Sequence, residues 1–243
     1  MKEIALVTGA NKGLGYEVSK VLAQSGMKVL MAARSEKRGR EAVSTLSKEG
    51  LDVEFVLLDL ADTKSIEKAV DSIRKDHQKL DVLVNNAGIL HREEGLGSST
   101  VLKVPIDILR ETFETNFFGL VDLTQRLIPL IRKSSNGRIV NVSSILGSLQ
   151  LAIERESEGP SSTPFAYNAS KAAVNSFTIH LAGALKSDAI RVNSAHPGWV
   201  KTDMGTDQAT LSIQEGAKTI LDLVLNDKAS TSRFIHSGEE LPW

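Results

Sequence analysis

Short apolar runs separated by longer stretches of helical periodicity constrain this chain more than any other feature. Ile4 to Val7 is apolar throughout, as suits a strand buried on both faces. Val29 to Ala33 is a second apolar run, Val53 to Leu58, Val82 to Val84 and Ile190 to Ala195 are strand-like, Arg138 to Val142 alternates as a strand does, and Phe234-Ile235 adds a short further strand. Between them lie helical patterns: Val18, Val21, Leu22 and Ser25; Ala42, Val43 and Leu46 within Glu36 to Glu49; Ile66, Val70 and Ile73 behind an Asp62 cap; then Ile106 to Lys133, Phe165 to Lys186 and Ile213 to Leu225. Such alternation predicts an α/β fold, a single-domain, Rossmann-type, doubly wound parallel sheet of about seven strands with helices on both faces. One domain over residues 1–243 is expected, with no linker and no internal repeat. Two segments, His91 to Pro105 and Ile145 to Pro164, carry no regular pattern and are rich in Gly and Ser, so they are read as irregular, functional loops.

Composition removes whole classes of function. The chain has no cysteine, which excludes disulfides, thiolate-bound zinc, iron–sulfur clusters and thiol catalysis. Lys and Arg number 29 against 30 Asp and Glu, so the basic excess expected of a nucleic-acid binder is missing. No apolar run is long enough for a membrane span, and the first residues lack a signal-peptide pattern. A cytoplasmic protein with neither nucleic-acid nor membrane partner is expected. The five histidines (His77, His91, His180, His196, His236) lie far apart without zinc-site spacing, so no metal is expected.

Directly after the first strand comes Thr8-Gly9-Ala10-Asn11-Lys12-Gly13-Leu14-Gly15. Glycines here permit a tight turn and close backbone approach to a pyrophosphate, and the following helix offers free N–H groups and a positive dipole end. The spacing differs from G-x-G-x-x-G and lacks the G-K-[ST] ending of a P-loop, which argues for a dinucleotide and against ATP hydrolysis. A purely structural strand-to-helix turn would need one glycine, not three.

The second strand ends Ala32-Ala33-Arg34. An NAD site commonly places a carboxylate there for the ribose 2′-hydroxyl. A guanidinium instead suits phosphate, so Arg34 with Lys12 is expected to hold the 2′-phosphate of NADP(H). Lys37, Arg38 and Arg40 are read as a solvated helix face.

Tyr167-Asn168-Ala169-Ser170-Lys171 opens a predicted helix, and i, i+4 spacing puts Tyr167 and Lys171 on one face. A nearby ammonium is expected to lower the phenol pKa towards working pH, making the pair a proton donor and acceptor. By itself the spacing is common, and a packed tyrosine beside a surface lysine would explain it.

Several further motifs agree, in order and on the expected elements. They are Asp59 after the third strand, Asn85-Asn86-Ala87-Gly88 after the fourth, Asn116, Ser143-Ser144 after the fifth, and Pro197-Gly198 after the sixth. With these the chain resembles the short-chain dehydrogenase/reductases along nearly its full length. Within them it looks most like the NADPH-dependent carbonyl reductases, through Val7 to Gly13, Arg138 to Ser144 and Pro197 to Met204.

The resemblance implies an enzyme that reduces a ketone or aldehyde carbonyl on a small-molecule substrate. Tyr167 would be the general acid, Lys171 would hold the nicotinamide ribose, Ser144 rather than Ser143 would bond the substrate oxygen, and Asn116 would anchor a water extending the relay. Gly9, Asn11, Lys12, Gly13, Leu14 and Gly15 would cradle the cofactor. Asp59 and Leu60 would meet the adenine, Asn86, Ala87 and Gly88 the adenosine side, and Pro197, Gly198, Val200 and Thr202 the nicotinamide. Plainer readings stand beside these: Asn116 bonding backbone, Asp59 capping a helix, Ser143 purely structural.

The chain departs from the family between Ser144 and Tyr167, where 22 residues intervene. The 145–164 insertion, with Glu154, Arg155, Glu156 and Glu158, is expected to rim the substrate pocket, and it leaves monomer and homo-oligomer both open. An NAD-dependent secondary-alcohol dehydrogenase is the nearest alternative, opposed by Arg34. A non-catalytic dinucleotide sensor is opposed by the complete Asn116, Ser144, Tyr167 and Lys171 set. A Rossmann-type methyltransferase would want an acid ending the second strand.

Overall fold

The computed structural model describes residues 2–95, 101–157, 164–226 and 230–243. Residues 96–100 and 158–163, Glu158 among them, belong to the two segments read as loops and lie outside that description. In chain order the elements are β1 (Ile4–Thr8), α1 (Gly13–Gln24), β2 (Lys28–Ala33), α2 (Glu36–Lys48), β3 (Val53–Leu57), α3 (Thr63–Asp76), β4 (Val82–Asn85), α4 (Arg92–Gly95), α5 (Ile106–Phe113), a π turn (Glu114–Phe118), α6 (Gly119–Ile131), β5 (Arg138–Val142), α7 (Leu149–Ser157), α8 (Phe165–Ala184), β6 (Arg191–Ala195), α9 (Ile213–Leu225), β7 (Phe234–His236) and β8 (Glu239–Glu240).

Among the described residues eight strands form one sheet in the order β3-β2-β1-β4-β5-β6-β7-β8. Pairing is parallel except between β7 and β8. Strand alternation divides the core. Leu6, Leu30, Leu83 and Ile139 point to the face covered by α3, α6 and α8, where Ile66, Leu123 and Leu181 meet them. Ala5, Val7, Met31, Val84 and Val140 point to the opposite face, against Val18, Leu46 and Ile220 of α1, α2 and α9. Chain order reverses between β1 and β4, and in an open α/β sheet the crevice outside the strand ends at such a reversal is where ligands bind.

A buried polar ladder sets the register of α8. Asn85 on β4 donates to Asn141 Oδ1 on β5 at 2.8 Å and to Thr124 Oγ1 on α6 at 2.9 Å. Asn141 and Ser194 on β6 then donate to Thr178 Oγ1 of α8, each at 2.9 Å. Such bonds are costly to break in a low-dielectric interior, so α8 is held at one place along β5 and β6.

Three expectations are corrected. The sheet has eight strands, not about seven: β8 pairs back on β7 across Ser237-Gly238, both at positive φ as a two-residue hairpin requires. The helix expected over Ile106 to Lys133 is interrupted by the π turn, which inserts a residue and turns Asn116 inward, fully buried. The segment read as irregular from Ile145 holds a 3₁₀ turn (Ile145–Gly147) and α7. Helical periodicity is faint in α7 because Leu149 and Ile153 face outward. Contacts outside the pattern hold it: Ser148 Oγ accepts from Leu151 N, and Gln150 N donates to the Trp243 carbonyl.

Candidate active site

Thr8 and Asn86 join the two strand ends at the reversal. Thr8 Oγ1 accepts the N–H of Asn86 and of Ala87, each at 3.0 Å, while Asn86 Nδ2 donates to Thr8 O at 2.9 Å. The space this leaves suits only glycine at two positions. Gly9 has φ +67°, and a β-carbon there would lie 3.0 Å from Ala87 Cα. A β-carbon on Gly15 would lie 2.5 Å from both Asn86 Nδ2 and Gly9 O. The turn thus packs flat against the β4 loop, and α1 begins beneath it with no side chain capping its N-terminus. Its first N–H groups remain available to an anion.

A cleft of about 830 Å³ opens over this loop. Gly9, Asn11, Lys12, Gly13, Leu14 and Gly15 line it from β1 and α1; Arg34, Asp59 and Leu60 from the ends of β2 and β3; Asn86, Ala87 and Gly88 from β4; and Pro197 and Thr202 from beyond β6. Tyr167 and Lys171 reach it from α8. Gly198, Val200, Asn116 and Ser144 are not among the residues that line it, whereas Ser143 is. Gly198 lies against the Leu211 side chain, and Val200 is buried, packing on Gly216 and bridging to Leu211.

Some lining residues have their polar groups committed elsewhere. Asp59 Oδ1 accepts from Ala61 N at 3.0 Å, closing the turn after β3, while Asp62 caps α3 by accepting from Lys64 N at 2.9 Å. The Asn86 amide is likewise spent on the glycine turn. Lys12 is paired across the cleft with Asp203, whose carboxyl that bond holds below the usual range, with Arg38 contributing. Arg38 and Arg40 are both exposed, and Arg40 is paired with Glu36. Lys201, Asp203, Met204 and Thr206 also line the cleft and were missed as site residues, since a segment without periodicity gives no sign of its direction.

At the cleft floor Lys171 Nζ donates to the Val142 carbonyl at 2.8 Å and sits 5.6 Å from the centre of the Tyr167 ring. Gly88 packs beside it: a β-carbon there would be 3.5 Å from Lys171 Nζ and 3.3 Å from Asn116 Oδ1. Lys171 is buried, and burial lowers its ammonium to about 8. Tyr167 keeps part of its surface open to the cleft, yet protein packs densely around it. Burial pushes the phenol up to about 12, with a hydrogen bond to Ser144 pulling the other way. The expected lowering is therefore corrected: burial raises the phenol, and the opposing effect comes from the Ser144 hydrogen bond.

Ser144 Oγ also accepts from Leu146 N at 3.2 Å, which sets the start of the 3₁₀ turn. Ser143 Oγ donates to the Lys171 carbonyl at 3.4 Å and ties β5 to α8. The Asn116 side chain bonds the Ile89 backbone at both ends, accepting at 2.7 Å and donating at 2.9 Å, and donates to Ser170 Oγ at 3.1 Å. Its amide is thus fully engaged, as the plainer reading had it, with a partner beyond β4 rather than in its own helix.

A family model described as short chain dehydrogenase matches residues 3–211. Carbonyl reductase (NADPH) 3 of Mus musculus is 37% identical over 260 aligned residues, 91% of this chain and 90% of that protein. (+)-Neomenthol dehydrogenase of Arabidopsis thaliana is 33% identical, with 91% and 90% covered. Among solved structures, NADPH-bound carbonyl reductase from chicken fatty liver superposes with a TM-score of 0.85 at 27% identity, covering all of both chains.

Proposed function

The chain belongs to the short-chain dehydrogenase family, and on that premise we propose that it reduces a ketone or aldehyde to an alcohol with NADPH, Tyr167 supplying the proton. The observation that carries this is the buried Tyr167–Lys171 pair, with Ser144 on the phenol, at the floor of the cleft that starts at the glycine turn. The likeness to proteins named for NADPH and carbonyl reduction supports it.

The cleft fits the dinucleotide on its own chemistry. The uncapped α1 N-terminus suits a pyrophosphate, and Arg34 and Lys12 at the cleft mouth suit a 2′-phosphate. When bound, the nicotinamide supplies the hydride. Tyr167 is held protonated by burial and donates its proton as charge develops on the carbonyl oxygen. The Ser144 hydroxyl, already on the phenol, gives that oxygen a second partner. Lys171 meets the ribose hydroxyls; proton loss from Tyr167 favours its charged form, which in turn stabilises the phenolate.

Alcohol oxidation would use the same groups with Tyr167 as base. A panel of ketones, quinones and aldehydes assayed by loss of NADPH absorbance tests the proposal. Turnover of some members is expected; NADPH binding without turnover of any would favour a sensor.

A further inference from the structure

We infer that Glu94, on α4 beyond β4, is a positioning residue for Tyr167: it caps, from a distant part of the chain, the helix that carries the phenol. This rests on the reading of Tyr167 as proton donor.

Helix α8 starts with a structural problem. Its N-cap position is Pro164, which has no side-chain acceptor, and no side chain of its own caps it. The second and third N–H groups of the helix belong to Ala166 and to Tyr167 itself. Ala166 is fully buried, so its N–H cannot turn to water.

Glu94 supplies what is missing. It is 1% exposed, and its two carboxylate oxygens separate over the two donors. Oε1 accepts from Ala166 N at 2.8 Å and Oε2 from Tyr167 N at 3.3 Å. These are the groups an ordinary N-cap side chain would satisfy, and a carboxylate adds a favourable charge at the positive end of a 20-residue helix. Glu94 N in turn donates to His91 O at 3.0 Å, closing the turn that aims the side chain inward.

The consequence concerns geometry, not chemistry. Glu94 does not line the cleft, so it touches neither substrate nor cofactor there. It fixes the backbone of the proton donor to the segment after β4, whose Ala87 to Leu90 do line the cleft. Asn116 grips the same segment at Ile89. The cleft wall and the phenol are thereby held as one body.

Glu94→Gln is the sharp test, since it conserves volume but leaves one acceptor oxygen for two N–H groups. Turnover per NADPH-binding site is expected to fall towards the order of 10²-fold that small misplacements of a reacting group cost. NADPH affinity should stay near the wild-type value. Glu94→Asp keeps both acceptors on a shorter stem and should retain intermediate turnover. In a Tyr167→Phe background Glu94→Gln should cost nothing further, because no donor remains to be placed. If Tyr167→Phe alone keeps wild-type turnover, the donor reading fails, and this inference with it. If Tyr167→Phe collapses while Glu94→Gln leaves turnover per site intact, or costs as much in both backgrounds, the positioning role is overturned on its own. Hydrogen exchange of the unmodified protein needs no variant to fold. The Ala166 and Tyr167 amides should exchange as slowly as the interior of α8, and rapid exchange at both would overturn the inference.

Discussion

Lys171 Nζ lies 5.6 Å from the centre of the Tyr167 ring, and their enclosure moves the two groups in opposite directions, the phenol up to about 12 and the ammonium down to about 8. Each is thus driven towards its uncharged form, against the attraction a charged pair would have. At neutral pH that leaves the phenol protonated and the lysine, titrating at about 8, still largely charged.

Tyr167→Phe keeps the ring and its packing but removes the hydroxyl. Turnover of any carbonyl the unmodified protein reduces should fall by about 10²–10⁴-fold, the usual contribution of a general acid. NADPH affinity, measured by fluorescence titration, and the thermal midpoint should barely change. Near-normal turnover would remove Tyr167 from the reaction.

Lys171 makes stability depend on pH. Its ammonium titrates near 10.5 when unfolded and about 8 in the fold. Between these values the unfolded chain binds more protons, so this group's contribution to stability rises with pH across that window. Below about 8 both states are protonated and the full penalty stands. In denaturant titrations without cofactor, Lys171→Met should be more stable than the unmodified protein at neutral pH by on the order of 3 kcal/mol. That margin should shrink as pH rises from about 8 to 10.5 and be gone above it. A margin independent of pH would contradict the assignment.

On the proposed function, Arg34 is the residue that sets the cofactor preference. A charge-assisted bond to a 2′-phosphate contributes about 1.5–3 kcal/mol, so NADPH should bind roughly 10- to 100-fold more tightly than NADH. Ala33→Asp with Arg34→Ala should move the preference towards NADH, because the new carboxylate accepts the 2′-hydroxyl and repels the phosphate. Equal affinities in the unmodified protein would sink this reading.

Asp203 competes for the other cation. It bridges Lys12 across the cleft, and both partners are well exposed. Asp203→Asn should release Lys12 and tighten NADPH binding at low salt by a few-fold at most, since exposed pairs contribute about 0–1 kcal/mol. The gain should vanish at high ionic strength and be absent for NADH. An equal gain for both cofactors would point to loop motion instead.

Much of this was legible along the chain, because it depends on local period and local chemistry. Apolar runs such as Ile4 to Val7 must be buried on both faces, which calls for a parallel sheet under helices. The glycine turn after β1, the guanidinium ending β2 and the i, i+4 spacing of Tyr167 and Lys171 are all contained in a few adjacent residues. What the amino-acid order could not decide was whatever depends on a partner far away. The π turn at Asn116 answers to Ile89, α7 is held partly through Trp243, and Val200 bridges to Leu211. The pKa of Tyr167 belongs to this second group. Spacing places an ammonium beside a phenol, but only the packed interior sets how much water each loses, and here burial moves both.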